Sequence, residues 1–214
     1  MLMTEPRLFE SIRIEIPERA ILRRLGFHRN ATEASPERQA QVMSLIQAAA
    51  ELIELKASCL ILSIAQNDGR SVRLSDGTVF TGSGLAELLT GSDQALLMGA
   101  TAGEAVMQAI AAATASGDML TSVVYDATAS EMTDNALNWL MDYHARMLSR
   151  QGRRLSARRY SAGYGDFSLE NQREFHRLLE LSALGVSITE TCILNPEKSV
   201  TAICGIQPPA KPAV

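Results

Sequence analysis

Residues Cys59 through Phe80 read CLILSIAQNDGRSVRLSDGTVF, and this stretch decides the fold class. Cys59 to Ile64 is a short apolar run, too short for a packed helix. It is closed by Asn67-Asp68-Gly69, which is turn chemistry, so the run reads as a strand. Val72-Arg73-Leu74 and Thr78-Val79-Phe80 then flank Ser75-Asp76-Gly77, the signature of a β-hairpin. A hairpin placed directly after a buried strand is foreign to a pure strand–helix–strand series and calls for antiparallel pairing.

Working outward, Ser35-Pro36 opens a long helix, with Ser35 as N-cap and Pro36 at the first helical position. Its apolar positions Val42, Ile46, Ala49, Ala50 and Ile53 recur at helical spacing to about Leu55. Upstream, Ile12, Ile14 and Ile16 alternate with Arg13 and Glu15, so residues 1–16 read as an arm or edge strand. Pro17 starts a short helix that Gly26 ends. Downstream, Gly82 to Leu89 reads as a short helix and Gln94 to Met98 as a buried strand. Gly99-Ala-Thr-Ala-Gly103 leads into an Ala-rich helix to about Ser116. Met119 to Tyr125 reads as a further strand ending at Asp126. A helix from about Ala129 to Ser149 follows, with Met132, Ala136, Trp139, Leu140, Tyr143 and Met147 as its inward stripe. Ser168 caps a helix stopped by Gly185, and two final strands, Val186–Leu194 and Lys198–Ile206, meet at Asn195-Pro196. The tail 207–214 carries three prolines and reads as mobile. The expectation is one α+β domain over residues 1–214, with a mixed or antiparallel twisted sheet covered by helices.

Of the 214 residues, 46% are hydrophobic and 21% charged, which suits a globular core rather than disorder. Net charge is −4, and no basic stripe interleaves with aromatics, so no nucleic-acid partner is expected. Arg150, Arg153, Arg154, Arg158 and Arg159 read as a solvated helix end, with anion binding as the alternative. Cys59 and Cys204 lie in apolar runs and read as core. Cys59, Cys192, Cys204 and the histidines His28, His144 and His176 form no metal spacing. The start has no secretory pattern and no run reaches membrane-spanning length, so a cytoplasmic protein with no membrane association is expected.

Chemistry concentrates in Arg158-Arg159-Tyr160-Ser161-Ala162-Gly163-Tyr164-Gly165-Asp166-Phe167. Two glycines two apart, beside a tyrosine and before a helix, let backbone approach a ligand. An arginine upstream can grip a carboxylate with two parallel hydrogen bonds. An aromatic beside Gly163 can lie on an adenine or steady a sulfonium. The plain alternative is a tight turn before a helix. Two further features have plain readings: Thr101 as a helix cap after the Gly99 turn, and Asp126 as a cap of the Ala129 helix.

The order Arg-x-x-x-Gly-Tyr, at Arg159, Gly163 and Tyr164, resembles the S-adenosylmethionine-binding motif of the activation (reactivation) domain of cobalamin-dependent methionine synthase. The similarity spans roughly residues 94–206. After the motif, the helix with Phe175, Leu178, Leu179 and Leu181 leads to Ile188-Thr189-Glu190-Thr191, then Asn195-Pro196 and Ser199-Val200-Thr201-Ala202, the order found in that family. The Gly-Tyr-Gly-Asp form is similar to its free-standing, single-domain branch. Two departures stand out: Ile14-Glu15-Ile16-Pro17 occupies the region of an Asp-Trp segment, and no tyrosine follows Tyr164.

The resemblance implies an accessory component that binds S-adenosylmethionine and docks on a corrinoid-bearing methionine synthase. There the methyl group passes to the corrinoid after a low-potential electron donor reduces cob(II)alamin to cob(I)alamin. It implies methyltransferase chemistry in methionine biosynthesis, by positioning rather than acid–base catalysis, with no turnover alone and cobalamin only on the partner. Arg159 would hold the methionyl carboxylate. Ala162 and Gly163 would offer backbone contact, and Tyr164 would border the adenosine or sulfonium. Glu190 is a second-tier ligand contact, with a hydrogen-bonded strand-end carboxylate as its alternative. From another class comes a non-catalytic module that docks on a corrinoid protein without S-adenosylmethionine. A Rossmann-type methyltransferase would require a doubly wound parallel sheet.

Overall fold

A computed structural model describes residues 5–27 and 35–209. At its centre runs β2 (Lys56–Asn67), twelve residues of which Ala57 to Leu62 are buried. Along one edge it pairs antiparallel with β5 (Gln94–Thr101), and β5 pairs antiparallel with β9 (Ser199–Gln207). The other edge of β2 is divided between two short partners. β1 (Arg7–Phe9) takes Ala57–Cys59, and β3 (Ser71–Leu74) takes Ile64–Asn67, with a register shift inside that pairing between Ile64 and Gln66. β4 (Val79–Thr81) and β6 (Arg154–Leu155) complete a curled, fully antiparallel sheet in the order β4-β3-β2-β5-β9-β6. The Val72/Phe80 hairpin thus forms as expected, and the doubly wound parallel alternative has the wrong sheet.

Both faces of the central strands are covered, which is why their sequences are near-continuous apolar runs. Ala57, Cys59, Ile61, Leu96, Met98, Ala100, Ala202, Cys204 and Ile206 point to one face. There they meet Met132, Ala136, Leu137, Leu140 and Leu148 of α5 (Met119–Ser149). Leu60, Leu62, Ala95, Leu97 and Ile203 point to the other, against α3 (Ser83–Leu88), α6 (Gln172–Leu178) and the 3-10 turn Leu181–Leu184. On that side Phe80 stacks on Phe175, centroids 5.3 Å apart, and Phe167 meets both edge-on. Ser58, facing the same way, donates to Leu179 O at 2.6 Å, so its hydroxyl is satisfied where water is excluded.

α5 has 31 residues, about 46 Å at 1.5 Å per residue. Its second half lies on the sheet. Its first half packs in a helical cluster with α1 (Glu18–Arg24), α2 (Pro36–Leu52) and α4 (Glu104–Ala115), through Ile21, Val42, Ile46, Val124 and Ala127. The strand expected at Met119–Tyr125 is therefore helix. Asp118 accepts from Thr121 N at 3.1 Å and from the Thr121 hydroxyl at 2.7 Å, capping a helix that begins ten residues before Ala129. Asp126 is a mid-helix residue paired with Lys198 Nζ at 2.7 Å, and caps nothing.

Other boundaries also shift. Val186–Leu194 is not one strand. It folds into a ribbon of β7 (Ser187–Ile188) and β8 (Leu194–Asn195), because Thr189 pairs with Ile193 and closes a turn between them. Gly99 to Thr101 stays inside β5. A Cβ on Gly99 would lie 2.8 Å from Leu181 Cδ2, so this glycine serves close packing rather than an anion loop. Thr101 accepts from Gly103 N at 3.2 Å at the strand end, while Gly103 occupies the N-cap of α4. Of the arm or edge strand expected over residues 1–16, Arg7–Phe9 is strand among the described residues, whereas the Ile12–Ile16 alternation is not; Ile12 donates from its amide to Leu55 O and buries its side chain. Gln207 ends β9, and residues 210–214 of the expected tail lie outside the described residues.

Candidate functional site

The Arg158–Phe167 loop leaves the sheet beside β9 and is tied down at every turn. Tyr160 exchanges both backbone hydrogen bonds with Ile203, at 2.9 and 2.8 Å. Gly163 N donates to Phe167 O at 2.7 Å, and Phe167 N returns to Tyr164 O at 3.0 Å. Gly163 and Gly165 have φ of +91° and +55°, values that an L side chain rarely adopts. Asp166 reaches across to α3, accepting from Ser83 N at 2.5 Å, the Ser83 hydroxyl at 2.6 Å and Gly84 N at 3.2 Å. The Ser83 hydroxyl and amide hold the Asp166 carboxyl below its ordinary range. The Tyr160 ring is seated between two glycines: a Cβ on Gly84 or Gly165 would come within 2.7 or 2.5 Å of its hydroxyl.

Against this loop lies an open cleft of about 630 Å³, inside the range of small-molecule sites. Arg159, Ala162 and Tyr164 line it from the loop, Ser199, Val200 and Thr201 from β9, Asp134 from α5 and Gln172 from α6. Tyr164 is 68% exposed, so its ring packs in no core and is free to meet a ligand. Arg159 donates to Asp134 Oδ1 at 2.7 Å and to Asn138 Oδ1 at 2.5 Å. The second oxygen of Asp134 has no partner among the described residues. A guanidinium beside a half-free carboxylate is the complement of an α-amino-acid head group, cation for carboxylate and anion for ammonium. Gln172 is directed by the Thr201 hydroxyl, which donates to its Oε1 at 2.8 Å. A smaller cleft of about 230 Å³ continues from Asp134, Ser199 and Val200 toward Lys198, Glu197 and Arg24.

Of the residues expected from sequence, Arg159, Ala162 and Tyr164 come together in the cleft, with Gly163 in the same turn. Glu190 is not among the lining residues. It sits in the exposed turn between β7 and β8, where its backbone carbonyl accepts from Arg173. Sequence reasoning missed Asp134 and Gln172. Asp134, Asn138 and Met141 follow a 3.6-residue period and all reach Arg159; the polar pair Asp134 and Asn138, four residues apart on α5, was the available signal.

Among the described residues no group of three or more His, Cys, Asp or Glu could hold an ion. His144 is buried between Leu140 O at 2.8 Å and Cys59 Sγ at 3.6 Å, and burial lowers its pKa. His176 faces Val186 O at 2.8 Å; His28 lies outside the described residues. All three cysteines are buried, and desolvation pushes the thiols of Cys59 and Cys204 up to about 12. Among the described residues no helix is long and apolar enough to cross a membrane.

Fold and cleft together define an α+β domain whose long helix and sheet-anchored glycine loop border an open cleft. Among solved structures, the chain has the fold of the MetH reactivation domain bound to AdoHcy, at a TM-score of 0.66. The two share 12% sequence identity over 98% of this chain and 80% of that one. No family model and no curated protein matches the sequence.

Proposed function

We propose that this protein binds S-adenosylmethionine in the Arg159–Tyr164 cleft and serves as an activation component for a corrinoid-bearing methionine synthase. The observation that carries the reading is the cleft itself: the Arg159, Ala162, Tyr164 set expected for the ligand lines one cavity, on a fold shared with a domain bound to AdoHcy. Glu190 has no place in it; Asp134 takes the acidic role. Arg159 grips the methionyl carboxylate, Asp134 receives the ammonium on its free oxygen, and Tyr164 covers the adenosine or the sulfonium. Asp166 and Tyr160 keep the loop from closing or drifting. Bound S-adenosylmethionine would supply an electrophilic methyl group to a corrinoid carried by the partner, with a low-potential donor supplying the electron. This chain's own contribution is orientation, and no proton transfer is required of it.

Calorimetric titration tests the proposal. The wild type should bind S-adenosylmethionine, and Arg159→Ala should lose about 1.5–3 kcal/mol, the value of a charged hydrogen bond. With a corrinoid-loaded methionine synthase fragment and a low-potential reductant, the protein should then speed conversion of cob(II)alamin to methylcobalamin. One observation favours a second reading, a module that docks on the corrinoid protein without S-adenosylmethionine: Arg159 is already neutralised internally by Asp134. Absence of binding by wild type, with docking intact, selects that reading.

A further inference from the structure

A second cavity, of about 490 Å³, lies beneath the N-terminal arm, between β2 and the last turns of α5. We infer that it is a binding site for a small amphiphilic monocarboxylate, whose apolar body lies on Ile61, Met147 and Leu148 and whose carboxylate meets Arg7. The inference is independent of the S-adenosylmethionine reading, since the two cavities share no residue.

The walls are mainly apolar, with Pro6, Ile61, Met147 and Leu148 among the residues that line them, the pattern of a pocket that takes an apolar body with a few polar anchors. Among the described residues Arg7 is the only Lys or Arg that lines it. The guanidinium is pre-oriented on two rings, 5.0 Å from the Phe9 centroid and 5.1 Å from that of Tyr143, and one nitrogen donates to the Tyr143 hydroxyl. It has no carboxylate partner among the described residues, unlike Arg24, Arg153, Arg159 and Arg177. A planar fork held flat, with free N–H groups and no counter-ion, suits a carboxylate better than any neutral group. His144, also in the lining, has its pKa lowered by burial, and its Nδ1 donates to Leu140 O. Glu5, exposed at the mouth, opposes an anion, weakened by its full contact with water.

Trp139, the sole tryptophan, provides a built-in reporter. It stacks on Tyr143 at 5.7 Å and meets Phe9 edge-on at 5.2 Å, so movement of Arg7 changes its surroundings directly. Decanoate and methyl decanoate are the probes, read by Trp139 emission and by calorimetry. Decanoate should bind saturably and at least tenfold more tightly than its ester. Arg7→Gln should bring decanoate to the level of the ester and leave the ester unchanged, and Glu5→Gln should strengthen decanoate binding. Met147→Phe, at a partly exposed position that tolerates the change, should fill the cavity and abolish binding of both. Equal binding of acid and ester overturns the inference. So does binding that survives Met147→Phe, binding that is lost in Arg159→Ala, or no saturable binding up to the millimolar range.

Discussion

Gly84→Ala should destabilise this protein, although the general rule for a glycine in a helix says the reverse. Alanine in place of glycine within a helix ordinarily gains about 0.5–1 kcal/mol. Here the new Cβ would lie 2.7 Å from the Tyr160 hydroxyl and 3.2 Å from both its ring carbon and Asp166 Oδ1. Tyr160 cannot retreat freely, because both its backbone hydrogen bonds to Ile203 hold it on β9. Overpacking of this kind costs about 1–3 kcal/mol, so the net effect is a loss of about 0.5–2 kcal/mol. In urea, with a slope of about 2–3 kcal/mol per molar, the midpoint should fall by roughly 0.2–1 M at unchanged slope. Tyr160→Phe deletes the hydroxyl that is struck. In that background Gly84→Ala should become neutral or stabilising, and the double-mutant cycle should return a coupling of about 1 kcal/mol or more. Stabilisation by Gly84→Ala in both backgrounds would refute the claim that Tyr160 is wedged against α3. Because the same wedge positions Tyr164, Gly84→Ala should also weaken S-adenosylmethionine binding.

Arg159→Ala should leave thermal stability nearly untouched while it damages binding, since Asp134 is 53% exposed and a pair open to water at one end contributes about 0–1 kcal/mol; a large drop in melting temperature would recast Arg159 as structural. Native Cys59 and Cys204 should resist thiol reagents at pH 8 and react once unfolded. Their thiols sit at about 12 in the fold against 9.0 in the open chain, so stability should be full below pH 9 and decline toward pH 12, by up to ~1.4 kcal/mol per pH unit for each thiol. Flat stability across that window would deny their burial. His144, depressed below 6.5, works at the other end: its contribution is complete above pH 6.5 and fades under acid, and His144→Gln should flatten that limb of the pH–stability curve. Gly99→Ala should cost about 1–3 kcal/mol by urea unfolding, as its Cβ meets Leu181 and Leu179 across the sheet face.

Most of the sheet was legible, because its signals are local: apolar runs at Cys59–Ile64 and Gln94–Met98, and Asp-Gly turn chemistry between Leu74 and Thr78. Met119–Tyr125 was not, because Val123, Val124 and Tyr125 favour a strand by local preference, and of the three only Val124 is buried. The period Leu120, Val124, Ala127 is helical, and it shows only when the segment is read as continuous with Ala129 onward. Val186–Leu194 failed differently: the Thr189–Ile193 turn contains neither glycine nor proline, so nothing in its composition announces it. The loop half of the cleft could be named from residues 159–164 because the motif is contiguous. Its α5 half could not, since Asp134 stands 25 positions from Arg159 and only tertiary structure joins them.

The two walls of the cleft are carried by different bodies. Arg159 and Tyr164 ride on a loop anchored to β9, whereas Asp134 rides at the waist of α5, whose leading half is gripped by α1, α2 and α4. Such a helix behaves as a beam clamped at one end and resting on the sheet at the other. A tilt about the clamp would move Asp134 relative to the guanidinium and so change the width of the cleft. The gauge of the site is thus set at a distance, by side chains such as Ile21 and Ile46 that never approach a ligand.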